Sequence, residues 1–346
     1  MAERVLTSRQ LNRAVLARQL LLERVRLPIP RAVERIAGIQ NQYAPNAYIR
    51  LWSCLEGFTR SDLDRALARR TVVQATLMRE TIHIASRRDY PLLAAAIRRS
   101  GQEWWRRVNK VDVDMKPLAR RARTFFRGTV RTRKEVEEFL KQNGFPRASL
   151  WGFAHWIDLV RVPPAGTWER RRADLFGLAE EWVGPLDVDE DTGIEQVVRR
   201  YLGGFGPAQA NDISNWSKIP MARLGPVLER LRLRQFRDEN GKVLLDVPRA
   251  PLPDADTPAP VRFLPTWDAL LLVHARRAGI MDEEYRQKIF HVKAPQSFPV
   301  FLVDGRVAGT WKFDNGRVKL DAFEPVPTKW KRELADEARR LGELHS

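Results

Sequence analysis

Apolar residues recur at three- and four-residue intervals along residues 6–27, where Leu11, Val15 and Leu22 share a helical face with Arg18. Thr7 or Ser8 stands ready as the N-cap. Pro28 and Pro30 interrupt that pattern, and Pro30 suits the first turn of a second helix through PIPRAVERIAGIQ. A third helix is expected over 61–70, opened by Ser61 with Asp64 in its first turn. The period then changes, because TVVQATLM and ETIHIAS alternate apolar and polar as strands do. Helix, helix, helix, strand is the element order of a winged helix.

The same order returns twice further on. Segment 119–182 is helical through TRKEVEEFLKQNG, with Thr132 three residues before Glu135 as a capping box. WGFAHWIDLVRVPPAGTWERR then reads as a helix and a hairpin with Pro-Pro-Ala-Gly at its tip. Segment 193–247 supplies three helical stretches and RQFRDENGKVLLDV, a strand pair turned at Asn240-Gly241. No strict repeat accompanies this, so three tandem winged-helix units rest on element order alone. Residues 247–260, VPRAPLPDADTPAP, read as a linker. Beyond it come strands turned at Asp304-Gly305 and Asn315-Gly316, then a final helix through KWKRELADEARRLGELH. The chain is therefore expected to be α+β, divided as 1–112, 113–190, 191–258 and a β-rich 259–346.

Composition narrows the partners. The 346 residues, 44% hydrophobic and 30% charged, can bury a real core. The net charge is +17 and the pI about 10.6, which favours a polyanion over a small neutral ligand. Only 12 of the 60 basic residues are Lys. A GC-rich genome explains Arg in place of Lys, but not the imbalance against acids. The single Cys54 excludes an internal disulfide and a Cys-based zinc site, and the five His form no metal-binding pair, so neither metal nor cofactor is expected. Without a leading apolar stretch or an apolar run near 18 residues, the expectation is a soluble, cytoplasmic protein.

Several signatures are missing. Gly203-Gly204-Phe205-Gly206 lacks the Lys-Ser/Thr of a phosphate loop, and there is no G-x-S-x-G or H-E-x-x-H. The acidic run LDVDEDTG (186–193) lacks EF-hand spacing and reads as a solvated connection. Three stretches remain. In IAGIQNQYAP, Gln40 prolongs the apolar stripe of the second helix, where a buried amide costs about 1–3 kcal/mol unless hydrogen-bonded. Gln42 can converge with it only if the helix stops near Asn41, as Pro45 suggests; otherwise one amide caps a chain end and the other is solvated. In TLMRETIHIAS, Arg79, Thr81 and His83 alternate on one strand face, which meets solvent or phosphate. In FLPTWDALLLVHARRAGI, Asp268, His274, Arg276 and Arg277 flank an apolar run, and a buried Asp–Arg pair accounts for part of it.

These stretches carry a resemblance. Gly38-Ile39-Gln40-Asn41-Gln42, Met78-Arg79-Glu80-Thr81-Ile82-His83, Tyr201 to Trp216, and Asp304-Gly305 to Trp311 occur in the order found in the AlkZ/YcaQ family of winged-helix DNA glycosylases. The sequence resembles that family over nearly its whole length, on the Gln-x-Gln side, with polar Asn41 where an apolar residue is usual. The resemblance implies a C-shaped arrangement of three winged helices around a C-terminal β-barrel-like unit, with a basic concave channel for duplex DNA. It implies Gln40 and Gln42 as catalytic residues, and Arg79, Thr81, His83, His274, Arg276 and Arg277 as DNA-facing ones. Glutamine cannot act as a general base. A purine alkylated at N7 or N3 is already cationic and needs no protonation to leave, so two fixed amide oxygens suffice to place a water and stabilise an oxocarbenium-like sugar. The implied activity is a monofunctional glycosylase for bulky N-alkylpurines in double-stranded DNA, extending to interstrand crosslinks or adducts of an alkylating natural product, with no obligate protein partner. The alternative is a non-catalytic winged-helix DNA-binding regulator whose glutamines are structural.

Overall fold

The computed structural model describes residues 4–109, 114–145, 154–273, 279–291 and 296–346. After strand β1 (Val5–Leu6), the first helix runs Ser8–Arg18, with Thr7 as N-cap in a capping box with Gln10. It ends well short of residue 27, as Leu20 takes a left-handed φ of 57°. The second helix, Ile29–Arg35, also stops early. The amide of Gly38 donates to Val33 O at 2.9 Å and that of Ala37 to Glu34 O at 3.4 Å, a Schellman stop with Ala37 (φ 65°) and Gly38 (φ 84°) left-handed. The chain leaves it as strand β2 (Ile39–Gln40), so Gln40 lies on a strand and not on the helical stripe.

A helix absent from the sequence reading, Pro45–Cys54, follows and is buried on every side. The next, Arg60–Ala68, is capped by Thr59 with Asp62, two residues before the expected Ser61. Strands β3 (Val72–Thr76) and β4 (Ile82–Ser86) form the expected hairpin. Helices Tyr90–Asn109, Met115–Phe126 and Arg133–Gln142 follow, the last with the expected Thr132–Glu135 capping box and preceded by β5 (Arg131–Thr132). Strands β6 (Leu159–Arg161) and β7 (Leu175–Leu178) make the second hairpin. All six strands from β2 to β7 form one sheet in the order β2-β4-β3-β6-β7-β5, the two hairpins joining where Gln74 pairs with Arg161.

Helices Glu190–Phe205, Ala210–Ser217 and Met221–Arg230 precede β8 (Arg234–Asp238) and β9 (Val243–Asp246). Within the acidic run, Asp189 caps the first of these helices and Glu190 and Asp191 pair with Arg223 and Arg230, so it is engaged and not merely solvated. Strand β1 adds in parallel to β8, an N-terminal contact that no local pattern announces. Residues 247–260 hold no helix or strand, yet arginines of the first helix strap them down: Arg18 donates to Pro251 O, Arg9 to Ala255 O and Arg13 to Thr257 O.

The C-terminal part corrects one expectation. Strands β10 (Arg262–Leu264), β13 (Val300–Val303), β14 (Arg306–Asp314) and β15 (Arg317–Ala322) form an open antiparallel sheet, with a separate two-residue pair β11 (Phe290–His291) and β12 (Gln296–Ser297). No closed barrel forms among the described residues. The last helix, Thr328–His345, brings Leu334, Leu341 and Leu344 into the core and so covers what closure would have covered. The Asp304-Gly305 turn docks on the first helix, where Asp304 pairs with Arg13 and Asn12 donates to Gly305 O at 2.8 Å. One continuous core runs from Val15 to Leu344, while Trp105, Met115, Phe126, Val136, Leu140 and Leu159 belong to a second.

Candidate functional site

Two features of the 38–42 segment follow from its backbone. Gly38 is required, because a Cβ there would meet Ile84 O at 3.3 Å and φ is 84°. The strand that follows pairs Gln40 with His83 on β4, and Asn41 N donates to Ile82 O at 2.7 Å. Residues opposite each other in an antiparallel pair share a face, so Gln40 and His83 lie together on one face. Gln40 is only 6% exposed, and its Oε1 has no hydrogen-bond partner among the described residues. A buried acceptor left unpaired in this way is rare in native proteins and calls for a use. Gln42 is exposed, and its Oε1 accepts from Ile82 N at 3.3 Å.

Asn41, between them, is buried and fully engaged. Its Nδ2 donates to Gln74 Oε1 at 3.0 Å, its Oδ1 accepts from Ala47 N at 3.2 Å, and Gln74 Nε2 passes on to Gly166 O at 3.0 Å. The polar residue inside the motif thus ties it to the central strand β3 and to the β6–β7 loop. Asn41→Leu would strip Gln74 Oε1 and Ala47 N of these partners. It is expected to cost about 2–4 kcal/mol in denaturant unfolding, and a loss under 1 kcal/mol would show that this relay is dispensable.

Gln42 lies on the wall of a cleft of about 830 Å³ between the first two hairpins, together with Thr76, Lys134, Arg161, Arg171 and Phe176. Gln40 does not line it. The two carboxylates of the lining are committed: Glu137 to Arg133 at 2.8 Å and Asp174 to Arg170 at 3.0 Å. His83 is buried, and burial pushes its imidazole down to about 4, so it is neutral at pH 7. Its Nδ1 then donates to Thr81 O at 3.1 Å, with Thr81 Oγ1 at 3.4 Å. Arg79 is not on the strand face. It occupies a turn, Met78–Glu80, with φ 59°, and its Nη1 donates to Leu272 O at 3.0 Å. Half-buried there, its guanidinium is pushed down by desolvation.

That hydrogen bond joins the second and third candidate stretches, the Gln40–His83 pairing joins the first to the second, and Asn46, the residue after the first, donates Nδ2 to Thr266 O at 2.9 Å. His274, Arg276 and Arg277 lie outside the described residues. Asp268 forms the buried pair with Arg50 at 3.1 Å. Gly203 to Gly206 close a helix, with Gly204 packed against Ala37 and Gln19, and form no phosphate loop. Sequence reading missed Gln74 and Arg161. Each is a long polar side chain flanked by apolar residues, Gln74 between Val73 and Ala75 and Arg161 between Val160 and Val162, and that interruption is the signal that could have marked them.

Comparison with known proteins places the chain in a family and a fold. The family model described as DNA glycosylase AlkZ-like matches residues 33–344. The structure is similar to that of Streptomyces sahachiroi DNA glycosylase AlkZ, with a TM-score of 0.82 and 19% sequence identity, over 98% of this chain and 97% of that one. At that identity the likeness speaks for the fold alone. No curated protein matches the chain in sequence.

Proposed function

We propose that this chain, which belongs to the AlkZ-like family of DNA glycosylases and is therefore an enzyme acting on DNA, hydrolyses the N-glycosidic bond of bulky purines alkylated at N7 or N3. One observation carries the reading. The cleft presents an amide, Gln42, while both of its carboxylates are held in ion pairs. Among the described lining residues no carboxylate stands outside an ion pair, which favours a base that is already cationic and needs no proton to leave. Gln42 Oε1, which accepts from Ile82 N, would then face the sugar as positive charge develops, while Gln40, buried and outside the cleft lining, enters as the second catalytic amide on the motif alone.

An open cleft of this size admits an enlarged base, which supports bulky adducts, interstrand crosslinks and adducts of an alkylating natural product within the substrate class. Under this reading the enzyme is monofunctional: the reacting groups are amides, and the one lysine among the described lining residues, Lys134, belongs to the helix Arg133–Gln142 and not to the 38–42 segment. The element order supports three tandem winged helices, with boundaries at 112, 190 and 258, arranged around a basic DNA channel. Base excision repair and self-resistance are the settings such chemistry serves. No helix of the described residues is long and apolar enough to cross a membrane.

The test is incubation with duplex DNA carrying N7-methylguanine and, in parallel, a crosslinked duplex, followed by alkaline cleavage. Abasic sites are expected from at least one substrate. No cleavage above background on either would remove the alkylpurine assignment.

A further inference from the structure

Arg161 ends β6 in the wall of the same cleft. It is 6% exposed, its guanidinium carbon lies 5.5 Å from the centre of the Phe176 ring, and Nη2 donates to Thr76 Oγ1 at 3.0 Å. Its Nε is buried and has no partner among the described residues. The other buried arginines among the described residues each have a carboxylate: Arg13 has Asp304, Arg18 has Asp246, Arg50 has Asp268 and Arg262 has Glu337. Arg161 has none among the described residues. The acids nearest in the lining, Glu137 and Asp174, are held by Arg133 and Arg170. Burial pushes the Arg161 guanidinium down to about 10, so it stays charged at neutral pH.

Burying a cation without a counter-ion carries a large desolvation penalty, and neither a hydroxyl nor an aromatic face repays it. An anion arriving with the substrate would supply the missing partner, and the planar fork of arginine matches phosphate oxygens. We infer that Arg161 is a phosphate anchor, taking the non-bridging oxygens of a DNA phosphodiester next to the nucleotide being excised. The inference rests on the glycosylase reading above and gives it a charge logic. An unpaired guanidinium in the cleft would oppose an oxocarbenium-like sugar. A docked phosphate neutralises it and leaves the sugar facing the Gln42 amide oxygen.

The test uses duplexes containing a tetrahydrofuran abasic-site analogue, with a single neutral methylphosphonate walked across the flanking phosphates and affinity read by fluorescence anisotropy. In the wild-type protein one position is expected to cost about tenfold, the size of a lost charge-assisted hydrogen bond, and the others much less. R161M should bind the unmodified duplex about tenfold more weakly and lose the sensitivity at that one position; R161K should fall between. If no wild-type position stands out, or if R161M stays equally sensitive there, the inference is overturned, and the wild-type walk decides even if R161M does not fold. Binding needs no excision, so the two readings fail separately. A protein that excises alkylpurines but is blind to the phosphates overturns the anchor alone; one that shows the anchor but excises nothing overturns the substrate class alone.

Discussion

Gln42→Ala is expected to lower single-turnover excision of an N7-alkylguanine duplex at least about a hundredfold, the usual cost of losing one preorganised dipole. Melting should stay close to wild type, because the side chain is exposed and makes a single long hydrogen bond to Ile82 N. Gln40→Ala should reduce the rate similarly. Its stability cost should be smaller than a buried amide ordinarily implies, since Oε1 has no hydrogen bond to lose. Duplex affinity should change little in either variant, as phosphate contacts made elsewhere supply most of it. Rates near wild type in both variants, with normal melting, would mean that the glutamines are not the reacting groups. The 38–42 segment would then be a structural turn between the second helix and the sheet.

How much of this was legible beforehand depended on the range of the interactions. Capping at Thr7 and Thr132, the hairpin turns at Asn240-Gly241, Asp304-Gly305 and Asn315-Gly316, and the last helix are settled within a few residues, and periodicity or turn chemistry reveals them. The pattern predicts too long a second helix because IAGIQ continues an apolar period. Only the Schellman stop, with a left-handed Ala37 that sequence disfavours, turns Gln40 onto a strand. The helix Pro45–Cys54 escaped because it is buried all round and so shows no polar face. The joining of two hairpins into one sheet, the addition of β1 to β8 and the open C-terminal sheet are long-range events, beyond the reach of any local pattern. For the site, motif resemblance marked Gln40 and Gln42. The physical reasons for their placement, the Gly38 approach to Ile84 O and the Asn41–Gln74–Gly166 relay, needed coordinates.

Asp246→Ala is expected to destabilise the fold by about 3–5 kcal/mol, the cost of leaving a buried charge unpaired. Arg18 and Asp246 are both inaccessible to solvent and meet in a two-pronged pair, Nη1 to Oδ1 at 2.6 Å and Nη2 to Oδ2 at 3.0 Å. The same guanidinium donates to Leu202 O and Pro251 O. One side chain of the first helix therefore holds the helix Glu190–Phe205, strand β9 and the 247–260 segment together. Water cannot rescue the orphaned cation at 0% exposure, so its desolvation penalty appears in full. The double variant Arg18→Met with Asp246→Leu removes both charges and should recover most of the loss, since a buried ion pair and an apolar pair of similar volume are often nearly equivalent. Denaturant unfolding of the three proteins decides it. A loss below about 1 kcal/mol in Asp246→Ala, or no recovery in the double variant, would mean that packing rather than this ion pair joins the first helix to the rest of the core.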